Sequence, residues 1–178
     1  MHTWIAFLRG INVGGKNILP MKLLRNTLAE LGLQNVRTYI QSGNIVFEAT
    51  SRSASALQKK ISTAISKEYD LSPNLLLQTV QDLETALAEN PFAVDAKEPK
   101  FMHFFFLAEQ PKANLFKELQ ELATPSEKLA LGNKVLYLFA PDGIARSKVA
   151  SQAEKILSTT TTARNLRTVQ KVIDLAKN

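Results

Sequence analysis

Glycine and positive charge are concentrated in one short segment near the N-terminus, residues 9–17, with the sequence Arg-Gly-Ile-Asn-Val-Gly-Gly-Lys-Asn. Its three glycines remove side chains where a backbone can approach a ligand, and Arg9 and Lys16 place cations beside them. Asn12 and Asn17 add amide groups that can donate and accept hydrogen bonds. This composition predicts an anion-binding loop formed by backbone N–H groups and Lys16.

The spacing Gly10-x-x-x-x-Gly15-Lys16 is also that of a phosphate-binding P-loop. Two departures disfavour a true P-loop. Asn17 stands where Ser or Thr would hold Mg²⁺, and Pro20 delays the following helix, so the loop does not run directly into helical N–H groups. A looser anion-binding loop is therefore favoured, and a glycine-rich connection without a ligand remains the alternative.

A second polar segment, Thr38–Asn44, reads Thr-Tyr-Ile-Gln-Ser-Gly-Asn between two predicted strands. Tyr39 and Gln41 alternate with their neighbours and so share one strand face. Together with Ser42 and Asn44 at a hairpin tip, they could stack on and hydrogen-bond a base or a small ligand. Turn chemistry alone is the alternative, because Ser, Gly and Asn are common turn residues.

Positive charge is uneven along the chain, whose net charge is +6. Residues 1–47 carry five Lys or Arg against one acid, and residues 143–178 carry seven against two, whereas the middle holds ten against thirteen. An anionic partner would be attracted to the two ends. We expect these stretches to share one site, although a solvated basic surface explains the same charges.

The C-terminal stretch contains two further groups of candidate residues. Arg146 and Lys148 follow a Pro-Asp-Gly turn and open a predicted helix, where cations and free N–H groups can hold an anion. Arg164 and Asn165 follow a run of threonines, and Thr161 or Thr162 is predicted to cap the last helix.

Residue types that commonly perform catalysis are scarce. The chain has no cysteine and two histidines, which argues against a disulfide framework, a zinc site and a histidine-based triad. His103 lies in a segment that is apolar on both sides, which favours a core histidine over a catalyst. Glu48 and Asp142 are lone acids. The sequence therefore identifies no catalytic residue, metal ligand or cofactor.

Hydrophobic periodicity predicts an α+β fold of two subdomains with mainly antiparallel sheets and helices packed on them, and the first half has the element order of the ferredoxin-like motif. We expect residues 1–95 to form the first subdomain plus a connecting helix, and residues 96–178 to form the second with the C-terminal helices. The second half is predicted to begin like the first but to end in a helix where the first half ends in a strand. The predicted elements, in chain order, are strand 3–9, helix 20–31, strands 36–40 and 45–48, helix 55–69, strand 74–78, helix 80–89, strand 101–107, helix 113–122, strands 128–131 and 135–139, and helices 148–157 and 164–176.

The N-terminus shows no leader pattern, and no window of the chain is apolar enough to span a bilayer. A cytoplasmic protein with no membrane partner is the expectation.

Several of these motifs resemble the signatures of the DUF1697 family of bacterial proteins. The resemblance rests on segments 9–17 and 38–44, on Met21 with Leu24-Arg25, and on the C-terminal segments 141–148 and 162–169. Leu166 departs from the pattern, because many relatives carry an aromatic there. The resemblance implies two ferredoxin-like subdomains and no particular activity, since the family is one of unknown function.

The leading hypothesis is a protein that binds a nucleotide, a phosphorylated metabolite or a nucleic acid. An enzyme of phosphoryl or nucleotide chemistry using Lys16 and a protein-interaction module are the alternatives, and the oligomeric state is open. The candidate ligand-binding residues are Arg9, Asn12, Gly14, Gly15, Lys16, Asn17, Tyr39, Gln41, Ser42, Asn44, Arg146, Lys148, Arg164 and Asn165.

Overall fold

The computed structural model describes residues 1–93 and 98–178. The chain forms two compact units, one of Met1–Leu83 with Lys171–Asn178 and one of Glu84–Gln170. The predicted subdomain boundary between residues 95 and 96 lies outside the described residues. Each unit contains its own four-stranded antiparallel sheet with helices, which confirms the predicted α+β class.

The first unit has the predicted order of strand, helix, two strands, helix and strand. Its sheet has the strand order β2-β3-β1-β4, with each neighbouring pair antiparallel. This order is that of the ferredoxin-like motif. The elements are β1 (His2–Arg9), α1 (Met21–Glu30), β2 (Gln34–Tyr39), β3 (Asn44–Ala49), α2 (Ala54–Tyr69) and β4 (Asn74–Gln78).

Strand β1 lies at the centre of this sheet because both of its faces are apolar. Trp4, Ala6 and Leu8 belong to the main core cluster, while Ile5 and Phe7, on the other face, are also fully buried. The helices bury stripes spaced three to four residues apart, which is the period of one helix face. The buried helix residues of this cluster are Met21, Leu24, Leu28, Leu57, Ile61 and Ile65.

The second unit repeats the same order of elements. Its sheet has the order β6-β7-β5-β8, again antiparallel throughout, and corresponds strand by strand to the first sheet. The elements are β5 (Met102–Leu107), α4 (Ala113–Gln120), β6 (Lys128–Leu131), β7 (Val135–Phe139), α5 (Lys148–Leu157) and β8 (Thr161–Asn165). The helix α3 (Val80–Ala88) precedes this unit's sheet, and α6 (Leu166–Lys177) ends the chain.

The prediction that the second half ends in a helix without a fourth strand was wrong. Thr161 and Thr162 pair with the end of β5 as the first residues of β8, and so they do not cap α6. Their branched β-carbons favour an extended strand. Asn165 caps α6 instead, because its Oδ1 accepts a hydrogen bond of 2.9 Å from the Thr168 N–H.

Within the described ranges, no helix has both the length and the apolar character needed to cross a bilayer.

Candidate functional site

The glycine-rich loop is a small hairpin, residues 10–17, which we refer to as the finger. Its two arms pair through hydrogen bonds from Lys16 N–H to Val13 O at 3.0 Å and from Asn12 N–H to Asn17 O at 3.1 Å. Gly14 and Gly15 form the turn with φ of +57° and +73°. Two successive positive φ angles define a type I′ turn, which strongly favours glycine. The turn conformation therefore favours glycine at both positions whether or not a ligand is present.

The two asparagines of the finger fix its base. The Asn12 amide accepts from Leu19 N–H at 2.8 Å and donates to Leu19 O at 2.9 Å and to Gln41 O at 2.8 Å. Asn17 donates to Gly10 O at 2.7 Å. Both residues have positive φ, +53° and +50°, a conformation that Asn tolerates better than most residues. Their side chains therefore stabilise the finger, and Asn12 links it to the β2–β3 connection.

That connection, residues 40–43, is the second part of the candidate site and is referred to as the tip. It packs tightly on the end of β1, since Gly43 O accepts from Leu8 N–H at 2.8 Å. A Cβ added to Gly43 would lie 2.6 Å from Leu8 Cβ, and its φ is +73°. Asn44 is fully buried in β3, and its amide donates to Tyr39 O and Ser42 Oγ.

The tip differs in one respect from the predicted hairpin. Ile40 has a φ of +51° and lies outside β2, which ends at Tyr39. The strand alternation on which the shared face of Tyr39 and Gln41 depended therefore stops before Gln41. Tyr39 is half-buried, whereas Gln41 and Ser42 are exposed.

The structure thus brings the two N-terminal motifs together at one end of the first sheet. Of the predicted residues there, Arg9, Lys16, Gln41 and Ser42 present exposed side chains, together with the exposed turn Gly14-Gly15. The amides of Asn12, Asn17 and Asn44 are engaged in hydrogen bonds within the loops. Residues 9–23 and 37–44 contain no Asp or Glu, so the electrostatic character of both segments is positive.

Three large aliphatic side chains around the finger and the tip are exposed to solvent, a feature that sequence reasoning missed. Val13 is 66% exposed, Ile18 60% and Ile40 53%. The sequence signal for their exposure was their position beside turn residues, where an apolar side chain cannot easily reach the core. Exposed apolar groups that form one contiguous patch are typical of surfaces that contact another molecule.

The candidates of the second unit gather at one end of its own sheet. The end of β7 pairs with Met102, and the end of β8 pairs with His103, so both strands finish beside the start of β5. Arg146 and Lys148 are exposed on either side of Ser147, which caps α5 by accepting from Ala150 N–H at 3.1 Å. That this group joins the finger in one site stays a prediction.

Arg164 lies in β8 with a largely buried guanidinium. Its Nη1 donates to Thr162 Oγ1 at 3.0 Å and to Ala163 O at 2.8 Å. Burial lowers the Arg164 pKa to about 10, which still leaves the group positively charged at neutral pH. Asn165, next in the chain, is occupied as the α6 cap.

His103 is buried in β5 and is neutral at physiological pH, since burial lowers its pKa to about 4. Its Nε2 has no hydrogen-bond partner among the described residues. Across residues 1–93 and 98–178, no three His, Asp or Glu side chains are grouped as a metal site requires.

Comparisons with known proteins give a family and a fold. A family profile described as "Protein of unknown function (DUF1697)" matches residues 1–137. The segments at 141–148 and 162–169 fall outside that match. The solved structure of the conserved bacterial protein SP0830 from Streptococcus pneumoniae is similar to this chain, with 28% identity and a TM-score of 0.78 over 98% of both chains. No curated protein matches the sequence.

Proposed function

The chain belongs to the DUF1697 family of unknown function, and we propose that it binds an anionic ligand, specifically the phosphate backbone of a nucleic acid, through the finger and the tip. The observation that carries this proposal is the bracing of the finger. The Asn12 and Asn17 amides fix a projecting turn whose exposed cation is Lys16. A braced backbone loses less conformational entropy on binding an anion than a mobile loop does.

The geometry of the finger favours an extended ligand over an enclosed one. A hairpin with an exposed turn offers contacts along a strand of nucleic acid that lies across it, whereas a free nucleotide is usually held in a concave pocket. Lys16 and Arg9 would contact phosphates, and Gln41 and Ser42 would hydrogen-bond a base or sugar edge. Tyr39, half-buried beside them, would provide a stacking surface.

An enzyme of phosphoryl chemistry is less well supported by this geometry. In a P-loop, the glycine segment runs directly into a helix whose N–H groups hold the phosphates. Here Lys16 belongs to the second arm of a hairpin, and α1 begins only at Met21. Positioned cations can stabilise developing charge, but neither segment of the site contains an acid to serve as a base or a metal ligand.

A protein-interaction surface is the second candidate, and the exposed side chains of Val13, Ile18 and Ile40 favour it. Exposed aliphatic groups in segments that also carry cations would suit an acidic protein partner with apolar side chains. Size-exclusion chromatography with light scattering, before and after Ile40→Ser, would detect self-association through this surface.

Titration of a labelled single-stranded RNA or DNA, followed by fluorescence anisotropy at several salt concentrations, tests the main proposal. We expect Lys16→Gln to weaken binding and to lower the slope of log K against log salt by about 1. Lys59→Gln is the matched control, because it removes the same charge from an exposed position on α2.

The proposal fails if the native protein does not bind at low salt, or if the two variants lose affinity equally. Lys148→Gln, measured in the same titration, tests whether the exposed cations of the second unit also contact the strand.

A further inference from the structure

An open cleft of about 500 Å³, referred to below as the cavity, lies at the other end of the first sheet from the finger. The start of β1 pairs there with the end of β3 and lies close to the end of β4. This volume is within the range of about 300 to 1,000 Å³ that is typical of small-molecule sites. The cavity is lined by His2, Thr3, Trp4, Arg52, Thr79, Val80 and Gln81.

Arg52 is exposed, and its Nε donates to His2 Nε2 at 2.9 Å. An imidazole supplies no negative charge, so this bond does not neutralise the guanidinium. A guanidinium has five N–H donors in a planar fork, and this bond uses one of them. The planar fork suits a carboxylate, which accepts two parallel hydrogen bonds.

The remaining walls are ordered and partly apolar. Trp4 is 8% exposed, and its indole N–H donates to Ser51 O at 3.2 Å, which fixes the orientation of the ring; Val80 is a second apolar residue of the lining. Thr79 is also fixed, since its N–H and its hydroxyl both donate to the Asp82 carboxylate at 2.7 Å. Both bonds end on Oδ2 of Asp82, the acid that lies nearest in sequence to the cavity wall, so one of its two oxygens is engaged.

We propose that this cavity binds a small monocarboxylate with an apolar body, the carboxylate on Arg52 and the body against Trp4 and Val80. A single cation balances one negative charge, and Val80 with the small exposed part of Trp4 offers apolar surface that a bare inorganic anion would leave exposed to water. The inference is independent of the finger, because it uses different residues at the opposite end of the sheet.

Trp4 makes the proposal directly testable, since it is the single tryptophan of the chain. Its indole N–H gives one signal in a ¹⁵N–¹H NMR spectrum of the labelled full-length protein. Benzoate is the probe, and benzamide is its neutral control of nearly the same size. Arg52→Gln removes the proposed anchor, and Arg167→Gln removes an equal charge from an exposed position in the second unit.

We expect benzoate to shift the indole signal saturably in the native protein and in Arg167→Gln. Benzamide, and benzoate with Arg52→Gln, should bind about tenfold more weakly or worse, because a charge-assisted pair of hydrogen bonds is lost. The proposal is overturned if benzoate gives no saturable shift, if benzamide binds equally well, or if Arg52→Gln binds benzoate as the native protein does. A dispersed indole signal in Arg52→Gln verifies that the variant is folded.

Discussion

Replacing Asn12 with alanine tests whether side-chain hydrogen bonds fix the finger. The substitution removes two bonds to Leu19 and one to Gln41 O, and it leaves the backbone N–H of the fully buried Leu19 without its acceptor. Each bond contributes about 1 kcal/mol net. Alanine at a φ of +53° adds ~1 kcal/mol of backbone strain. The total predicted loss is about 4 kcal/mol of unfolding free energy.

Urea unfolding of Asn12→Ala and Asn12→Gly separates the two contributions. Glycine accepts positive φ without strain, so Asn12→Gly should lose only the hydrogen bonds, about 3 kcal/mol. Hydrogen exchange gives a local measurement, because the Leu19 amide should be protected in the native protein and exchange much faster in both variants. A loss below about 1 kcal/mol in Asn12→Ala, or a Leu19 amide that already exchanges freely in the native protein, would refute the reasoning.

Two further substitutions test the packing of the tip and the burial of His103. Gly43→Ala should lower the free energy of unfolding by about 2 to 4 kcal/mol, since its Cβ would meet Leu8 at 2.6 Å in addition to the strain of positive φ. Gly14→Ala, at a position with positive φ and open space around it, should lower it by only about 1 kcal/mol. Equal losses in the two variants would contradict the close contact at Gly43. Burial lowers the His103 pKa from 6.5 to about 4. As the pH drops, this histidine is therefore protonated in the unfolded chain before it is protonated in the folded protein. The free energy of unfolding should then fall as the pH drops from 6.5 towards 4. Urea unfolding at pH 7 and pH 5 should show a smaller fall for His103→Gln than for the native protein, and an identical fall would count against a buried neutral histidine.

Most of the fold could be predicted because its elements carry strong local patterns. The apolar residues of α2 repeat with the period of a helix face, and β1 is apolar on both faces, as a central strand must be. Strand β8 lacked such a signal. Its sequence, Thr-Thr-Ala-Arg-Asn, shows no apolar alternation, and threonine is also a common helix cap. Pairing with the buried strand β5 decides its conformation, and that contact spans more than fifty residues of sequence.

The candidate site was predicted less well in its details, because residue type did not distinguish ligand groups from groups that stabilise the loops. The Asn12 amide bonds to a carbonyl twenty-nine residues away, a partner that no sequence window contains. The turn that Gly14 and Gly15 form was easier to predict from the sequence. A Gly-Gly dipeptide flanked by residues that can form a β-bridge is a known signal for a type I′ turn. The P-loop spacing of the same residues favoured a phosphate-binding interpretation instead.

Lys16 is the proposed ligand-binding group, whereas Asn12 stabilises the loop. Substitutions of these two residues therefore distinguish a ligand-binding finger from a purely structural loop. If the finger binds a polyanion, Lys16→Gln should reduce nucleic-acid affinity and leave the unfolding free energy nearly unchanged, because the exposed Lys16 side chain adds little to the fold. Asn12→Gly should reduce both, since it releases the base of the finger without removing any charge. A loop that only connects β1 to α1 would respond differently: Asn12→Gly would lower stability, and neither variant would change affinity. Affinity and unfolding free energy, measured for both variants, therefore distinguish a finger that binds a polyanion from a loop that only connects β1 to α1.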